Sequence, residues 1–168
     1  MKARVEVRRA ERSDLDALAA LNAQVQDLHA ALHPEIFKGR VDPGEWRALW
    51  GRIVGGSGDA VLIAALEGAS VGYLWLALQH RPETPFGVGS KRIYIHHICV
   101  DAAHRRRGVA AALMKAARRV ARENGTDEIL LDTWAANAEA QAFFRSCGFE
   151  PMRLMMRASV GADGASRD

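Results

Sequence analysis

Three arginines and a glycine, Arg105-Arg106-Arg107-Gly108, stand where a run of small and apolar residues from Val109 to Met114 begins to read as a helix. A helix dipole favours negative charge at its start by roughly 0.3–1 kcal/mol per group, so cations gathered there form a local inconsistency that a bound anion removes. The first N–H groups of a helix lack intrahelical partners, and Gly108, Ala110, Ala111 and Ala112 leave little side chain between that backbone and a ligand. Phosphate binding is the chemistry this spacing permits. The alternative is a solvated, arginine-rich helix start, since Lys115, Arg118, Arg119 and Arg122 continue the basic character. Other phosphate loops fit less well: there is no G-x-x-x-x-G-K-[ST], and "GVGSKR" from Gly87 lacks a third glycine and leads into a strand.

The segment just upstream, "RIYIHHICV", reads as a strand. Simple alternation puts Arg92, Tyr94 and His96 on one face and Ile93, Ile95, His97 and Cys99 on the other. The more polar face ends, through Asp101 to His104, at the arginine helix. Strand carboxyl ends meeting helix N-termini are where open α/β sheets collect ligands.

Other elements must hold this junction in place. "RVEVRRA" alternates as a first strand, and Ser13 followed by Asp16 has the spacing of a capping box. Leu15, Leu18, Leu21, Val25, Leu28 and Leu32 recur at helical spacing up to His33-Pro34, where proline disfavours continuation. A short helix is expected within Phe37 to Ile53, then the flexible "GGSGD", then a hairpin turning at Glu67-Gly68. "RPETPFGVGSK" reads as loop. After the arginine helix come a strand "EILLDTW", a helix near Asn137 to Ser146 and a last strand beyond Pro151. One domain over residues 1–160 is expected, with a disordered tail at 161–168.

Composition sets limits on function. The 168 residues are 49% hydrophobic and 26% charged, enough for a real core. No stretch is long and apolar enough to span a bilayer, and the first residues lack an apolar signal region, so a cytoplasmic protein is expected. Cys99 and Cys147 lie inside regular elements and are expected as reduced thiols. A net charge of +3 allows an anionic ligand without demanding nucleic acid.

Taken together, "ICVDAAHRRRGVAAALM", "EILLDTWAANAEAQAFFRSCGF" and their order resemble the GCN5-related N-acetyltransferase (GNAT) family. Its signature [QR]-x-x-G-x-[GA] is matched by Arg105, Gly108 and Ala110, between a strand and a helix. A further strand, Asn137, and the spacing of Ala140, Phe143, Gly148 and Phe149 follow. The resemblance covers Tyr94 to Pro151 well and the region between Pro34 and Gly58 poorly. It implies a mixed α/β fold, a twisted central sheet of about six to seven strands flanked by about four helices.

The resemblance also implies acetyl-CoA as co-substrate and an amine acceptor. The diphosphate would lie on Arg105, Arg106, Arg107, Gly108, Val109, Ala110 and Ala111. The pantetheine arm would pair with the backbone of Ile98, Cys99 and Val100, and an N–H near Ile98 would polarise the acetyl carbonyl. Asn137, Phe143 and Phe144 would line the other side. A primary amine of pKa near 10 is only about one part in a thousand neutral at pH 7, so a base is useful, and His96 is the imidazole whose position matches the family's. The family pattern has a tyrosine after the phenylalanine as thiolate acid, but this chain has Phe144, which leaves Tyr94 as a substitute donor or water as the proton source. A homodimer is the family-level expectation.

Three function classes compete. An N-acetyltransferase leads, acting on a small-molecule amine or a peptide or protein amino group. A non-catalytic acyl-CoA-binding module is motivated by Phe144. A nucleic-acid-binding domain using Arg105 to Arg122 would bind with a steep salt dependence, but that helix lacks interleaved aromatics. His29 and His33, four apart, lack the further ligands of a metal site, and no metal is expected. Trp46, Trp50 and Phe37 are expected in core or dimer contacts, or around an acceptor pocket. Asp27, Glu35, Asp42 and Glu45 are the scattered carboxylates available to a cationic amine.

Overall fold

The computed structural model describes residues 4–160; the tail expected at 161–168 lies outside them. Its elements in chain order are β1 (Glu6–Arg9), α1 (Leu15–Leu32), α2 (Pro43–Gly55), β2 (Asp59–Leu66), β3 (Ala69–Arg81), β4 (Ser90–Val100), α3 (Val109–Glu123), β5 (Ile129–Leu131) and α4 (Ala138–Ser146). The five described strands form one sheet in the order β1-β2-β3-β4-β5. Neighbours are antiparallel except β4 and β5, which run parallel. The mixed α/β class and the four helices match expectation, whereas the described sheet has five strands and not six or seven. Residues 151–160, expected to give the last strand, carry no regular structure.

Each sheet face is covered by a different helix set. Leu113, Met114, Ala117 and Val120 of α3 pack with Leu62, Leu74, Ile93 and Ile95. Leu15, Leu18 and Leu21 of α1 and Trp50 of α2 pack with Ile63 and Tyr73 on the other face. Trp50 is therefore core, edge-on to Tyr73 at 4.9 Å between ring centroids. Phe37 lies outside any helix, because the second helix begins only at Pro43, where Asp42 caps it by accepting from the Gly44 N–H (2.7 Å).

The start of α1 also differs from expectation. A 3₁₀ turn at Arg12–Asp14 precedes it, so the reciprocal cap is made two residues earlier by Glu11 and Asp14 and not by Ser13 and Asp16. Asp14 accepts from the Glu11 N–H (2.7 Å) and from both ends of the Arg8 guanidinium (2.7 and 2.8 Å). Asp16 pairs instead with Arg47 of α2. The β2–β3 hairpin turns at Glu67 (φ 54°) and Gly68 (φ 83°), the left-handed pair a two-residue turn needs.

Candidate active site

A single extra residue in β4 organises the site. Trp75 pairs with His97 and Leu76 with Ile95, so His96 is a bulge with no opposite number in β3. The bulge reverses side-chain phase. Ile93 and Ile95 pack under α3 before it and Ile98 and Val100 after it, whereas Cys99 joins Tyr73 on the other face. The expected alternation, with His97 and Cys99 beside Ile93 and Ile95, is thus corrected. Both imidazoles lie on the Tyr73 and Trp75 face: His96 stacks on Trp75 (4.5 Å, 25°) and His97 packs on Tyr73 (5.6 Å).

The bulge reverses backbone phase as well. The Ile93 N–H donates to Glu128 O (3.0 Å) on the β5 side, but the Asp101 N–H donates to Val71 O (2.9 Å) on the β3 side. Backbone groups alternate along a strand, so Ile98 and Val100 point away from β3 and Cys99 points towards it. Pairing with β5 ends at Ile95 and Leu131. Among the described residues, Ile98 and Val100 therefore present backbone donors and acceptors to a gap where β5 has turned away. The Cys99 thiol is buried, donates to Leu21 O (3.2 Å), and is pushed by burial up to about 12. It is no nucleophile.

This open edge runs straight into the arginine loop. Asp101 is fixed by the His104 imidazole (2.5 Å) and the Gln24 amide (3.1 Å), and Gln24 also accepts from the Ala102 N–H (3.1 Å). Arg106 (φ 60°) and Gly108 (φ 86°) both adopt left-handed backbone, and a side chain added at Gly108 would meet open space. Gly108 offers α3 no side-chain cap. Ala112 is the first residue to close a helical bond, to Gly108 O (3.0 Å), which leaves the N–H groups of Val109, Ala110 and Ala111 as orphan donors. Arg105, Arg106 and Arg107 are exposed around them, while the Val109 side chain is core and can contribute only its backbone.

Titratable groups cluster beside the bulge. The Tyr73 hydroxyl donates to the buried Asn22 (2.8 Å) and lies 2.5 Å from His97 Nδ1. With its one proton given to Asn22, Tyr73 accepts from an Nδ1–H of His97, which leaves His97 Nε2 as the acceptor. Burial pulls His97 down to about 4, helped by the neighbouring imidazoles of His29 and His96. His96 is exposed, and its pKa is lowered by partial burial against an opposing pull from Asp59, which accepts from Trp75 Nε1 (2.9 Å). Tyr94 donates to Asp132 across the mouth of the gap; burial and that bond raise it to about 12. An acid of that strength is poorly matched to a thiolate whose own pKa is near 8.5.

The far wall comes from β5 and α4. Asn137 is the N-cap of α4, its side-chain oxygen accepting from the Ala140 N–H (3.1 Å). Phe143 packs against the α3 side of the core, and Phe144, buried, lies between Phe143 (5.4 Å) and Phe149 (5.8 Å). Arg105 faces Glu139 across the cleft at 3.9 Å. Asp132, Trp134, Tyr73 and Asn22 were not singled out from sequence. Trp134 had a signal, a lone tryptophan in the polar stretch after a strand, whereas Tyr73 and Asn22 read as ordinary core positions.

Comparison with known proteins agrees with this layout. The family model described as Acetyltransferase (GNAT) family matches residues 23–149. N-acetyltransferase 8 of Homo sapiens is 40% identical over 60 residues, 36% of this chain, and the match spans about a quarter (26%) of that relative's length. The L-amino acid N-acetyltransferase AaaT of Escherichia coli (strain K12) is 29% identical over 150 residues, 87% of this chain and 83% of that protein. Among solved structures, a point mutant of the Bacillus halodurans BH1408 protein superposes with a TM-score of 0.84 at 26% identity, covering 92% of this chain and 99% of its own. The fold is shared with aminoglycoside N-acetyltransferase AAC(6')-Iy in complex with CoA, at a TM-score of 0.72 and 22% identity over 96% of this chain and 98% of that one. The bulged strand opening onto an uncapped, glycine-started helix thus has a family, and this chain belongs to the acetyltransferase (GNAT) family.

Proposed function

We propose that this chain is an acetyl-CoA-dependent N-acetyltransferase that delivers the acetyl group directly to a primary amine within a ternary complex. The observation that carries the reading is the continuity of the open β4 edge at Ile98 and Val100 with the orphan N–H groups of Val109, Ala110 and Ala111. That path offers an amide-pairing edge followed by an anion cradle, the order in which pantetheine amides and a diphosphate occur. Acetyl-CoA supplies an acetyl carbonyl activated as a thioester. The Ile98 N–H is the donor placed to stabilise negative charge on a carbonyl oxygen lying along that edge. Arg105 to Arg107 neutralise the diphosphate, and Asn137 and Phe143 fix the wall opposite.

His96 serves as the base. It is exposed at the bulge and held by stacking on Trp75, and its lowered pKa keeps it neutral at pH 7. A neutral imidazole takes the proton that an ammonium must lose before attack. Tyr94 positions Asp132 and the cleft wall instead of acting as an acid, and the thiolate departs with water as its proton source. A non-catalytic acyl-CoA-binding module is the second reading, favoured by the buried Phe144 at the family's acid position. The relatives bear names of amine acetyltransferases with dissimilar acceptors, which supports amine transfer as the shared chemistry. We propose also that two copies of the chain associate through residues 151–160, whose large apolar side chains are exposed.

Calorimetric titration of acetyl-CoA into the wild type and Gly108→Glu tests the first reading. Tight binding that the folded variant loses is the expected result, followed by amine-dependent release of coenzyme A. Binding without turnover for any amine would favour the module, and no wild-type binding would overturn both.

A further inference from the structure

Chain segments far apart in sequence bring rings to one place beside the β4 bulge. His29 of α1 packs on Phe37 (4.8 Å) and edge-on to His97 (5.8 Å). His33, just past α1, lies against Trp134 at 4.5 Å, and Phe37 meets the same indole edge-on at 5.3 Å and 82°. His29, His33, Phe37 and Trp134 keep part of their surface exposed while His97 lies deeper, so the cluster is a wall with a solvent side and not a closed core. Its place is fixed relative to the base. Trp134 follows Asp132 by two residues, Asp132 holds the Tyr94 hydroxyl, and the Tyr94 ring lies 5.0 Å from that of His96.

Charge narrows what this wall can accept. Glu35 lies 3.5 Å from both His33 Nδ1 and Arg157 Nη2. Asp132 is taken by Tyr94, and Asp42 by the cap of α2. Glu35 and Asp132, the carboxylates that touch this wall and the Tyr94 ring, thus already have partners, and a polycation would compete with those partners for them. Aromatic faces instead reward a flat, apolar body, and they favour tilted or edge-on contacts of the kind the wall already makes. His33 Nε2, buried and without a partner among the described residues, is one polar atom left beside the indole.

Resting on the transferase reading, we infer that the acceptor is a primary amine carrying an aromatic ring, which seats on Trp134 and Phe37 and directs its amine at His96. A free aromatic amino acid, an arylalkylamine and a peptide with an aromatic N-terminal residue share that chemistry. Coenzyme A release is measured with phenylalanine, 2-phenylethylamine, phenylalanylglycine, butylamine, spermidine and kanamycin. The kcat/KM of at least one ring-bearing amine is expected to exceed those of spermidine and kanamycin tenfold or more, and the best of the three identifies the source. Trp134→Ala is expected to cut the selectivity for that ring-bearing amine over butylamine about tenfold, and Trp134→Phe, which keeps a ring, to restore most of it.

Preference for spermidine or kanamycin, or a selectivity ratio indifferent to Trp134→Ala in a folded variant, would overturn the inference while leaving the transferase reading standing. Acetyl-CoA binding with no turnover of any amine would overturn the inference and the catalytic reading together.

Discussion

His96 and His97 are neighbours in the chain, yet burial acts on them unequally. His97 is drawn from 6.5 down to about 4 and stays neutral in the folded protein. The unfolded chain takes up a proton on this residue below about pH 6.5 that the folded chain refuses until about pH 4, so stability falls as pH drops through that window. The full effect is on the order of 3 kcal/mol. Urea midpoints at pH 7.5 and pH 5 measure it: the loss is expected to be smaller in His97→Gln than in the wild type, and an equal loss assigns the dependence to other groups. At His96 the readout is activity. A base with a lowered pKa makes kcat/KM rise with pH through a midpoint below 6.5. His96→Gln is expected to remove that limb and reduce kcat by about 10²–10⁴-fold. A variant that keeps both would move the base elsewhere.

At the scale of elements, β4 and α3 carry the site because each departs from regularity where they meet. The open α3 start was legible in the sequence, since a glycine before a run of alanines marks it, while the arginines at the wrong end of a dipole carry only the proposal that an anion sits there. The β4 bulge was not. It leaves no compositional mark, and one inserted residue reverses every later side chain, which is why His97 and Cys99 were assigned to the wrong face. The α1 cap was misplaced for a similar reason, since a 3₁₀ turn shifts the helix start without altering its hydrophobic stripe. Gln24 links α1 to the loop, holding both the Asp101 carboxylate and the Ala102 N–H. These exposed bonds contribute about 0.5–1.5 kcal/mol each, so Gln24→Ala is expected to weaken acetyl-CoA binding about three- to tenfold while shifting Tm by only a few degrees. Paired calorimetry and thermal melts check this; a large loss of Tm with unaltered affinity would make Gln24 a fold residue and not a loop anchor.

At the scale of the molecule, the β5 edge has no strand beside it among the described residues, and the 151–160 segment touches the rest of the chain through Arg157 and Glu35 while its apolar side chains stay exposed. β5 is only three residues long and stands at the edge of the described sheet, and the strand expected after Pro151 is absent. Sequence could register that segment's apolar character, but a strand forms only against a second edge, and nothing local says where that edge is. Met152, Leu154, Met155, Met156 and Val160 are 74–102% exposed. Five such side chains present on the order of 800 Å² of surface, comparable to one partner's share of a standard interface. Exposed apolar surface of that size, where it forms one patch, is uncommon on a monomer and favours an association surface. A second copy brings the same apolar segment and the same open β5 edge, so a symmetric pair covers both at once. Sedimentation velocity at micromolar concentration is therefore expected to give a dimer for the intact chain and a monomer for one ending at Glu150. A Leu154→Asp, Met156→Asp double substitution is expected to act the same way without shortening the chain. If both variants sediment with the wild type as monomers, the segment has another role; if all three are dimers, the interface lies elsewhere on the sheet or helices.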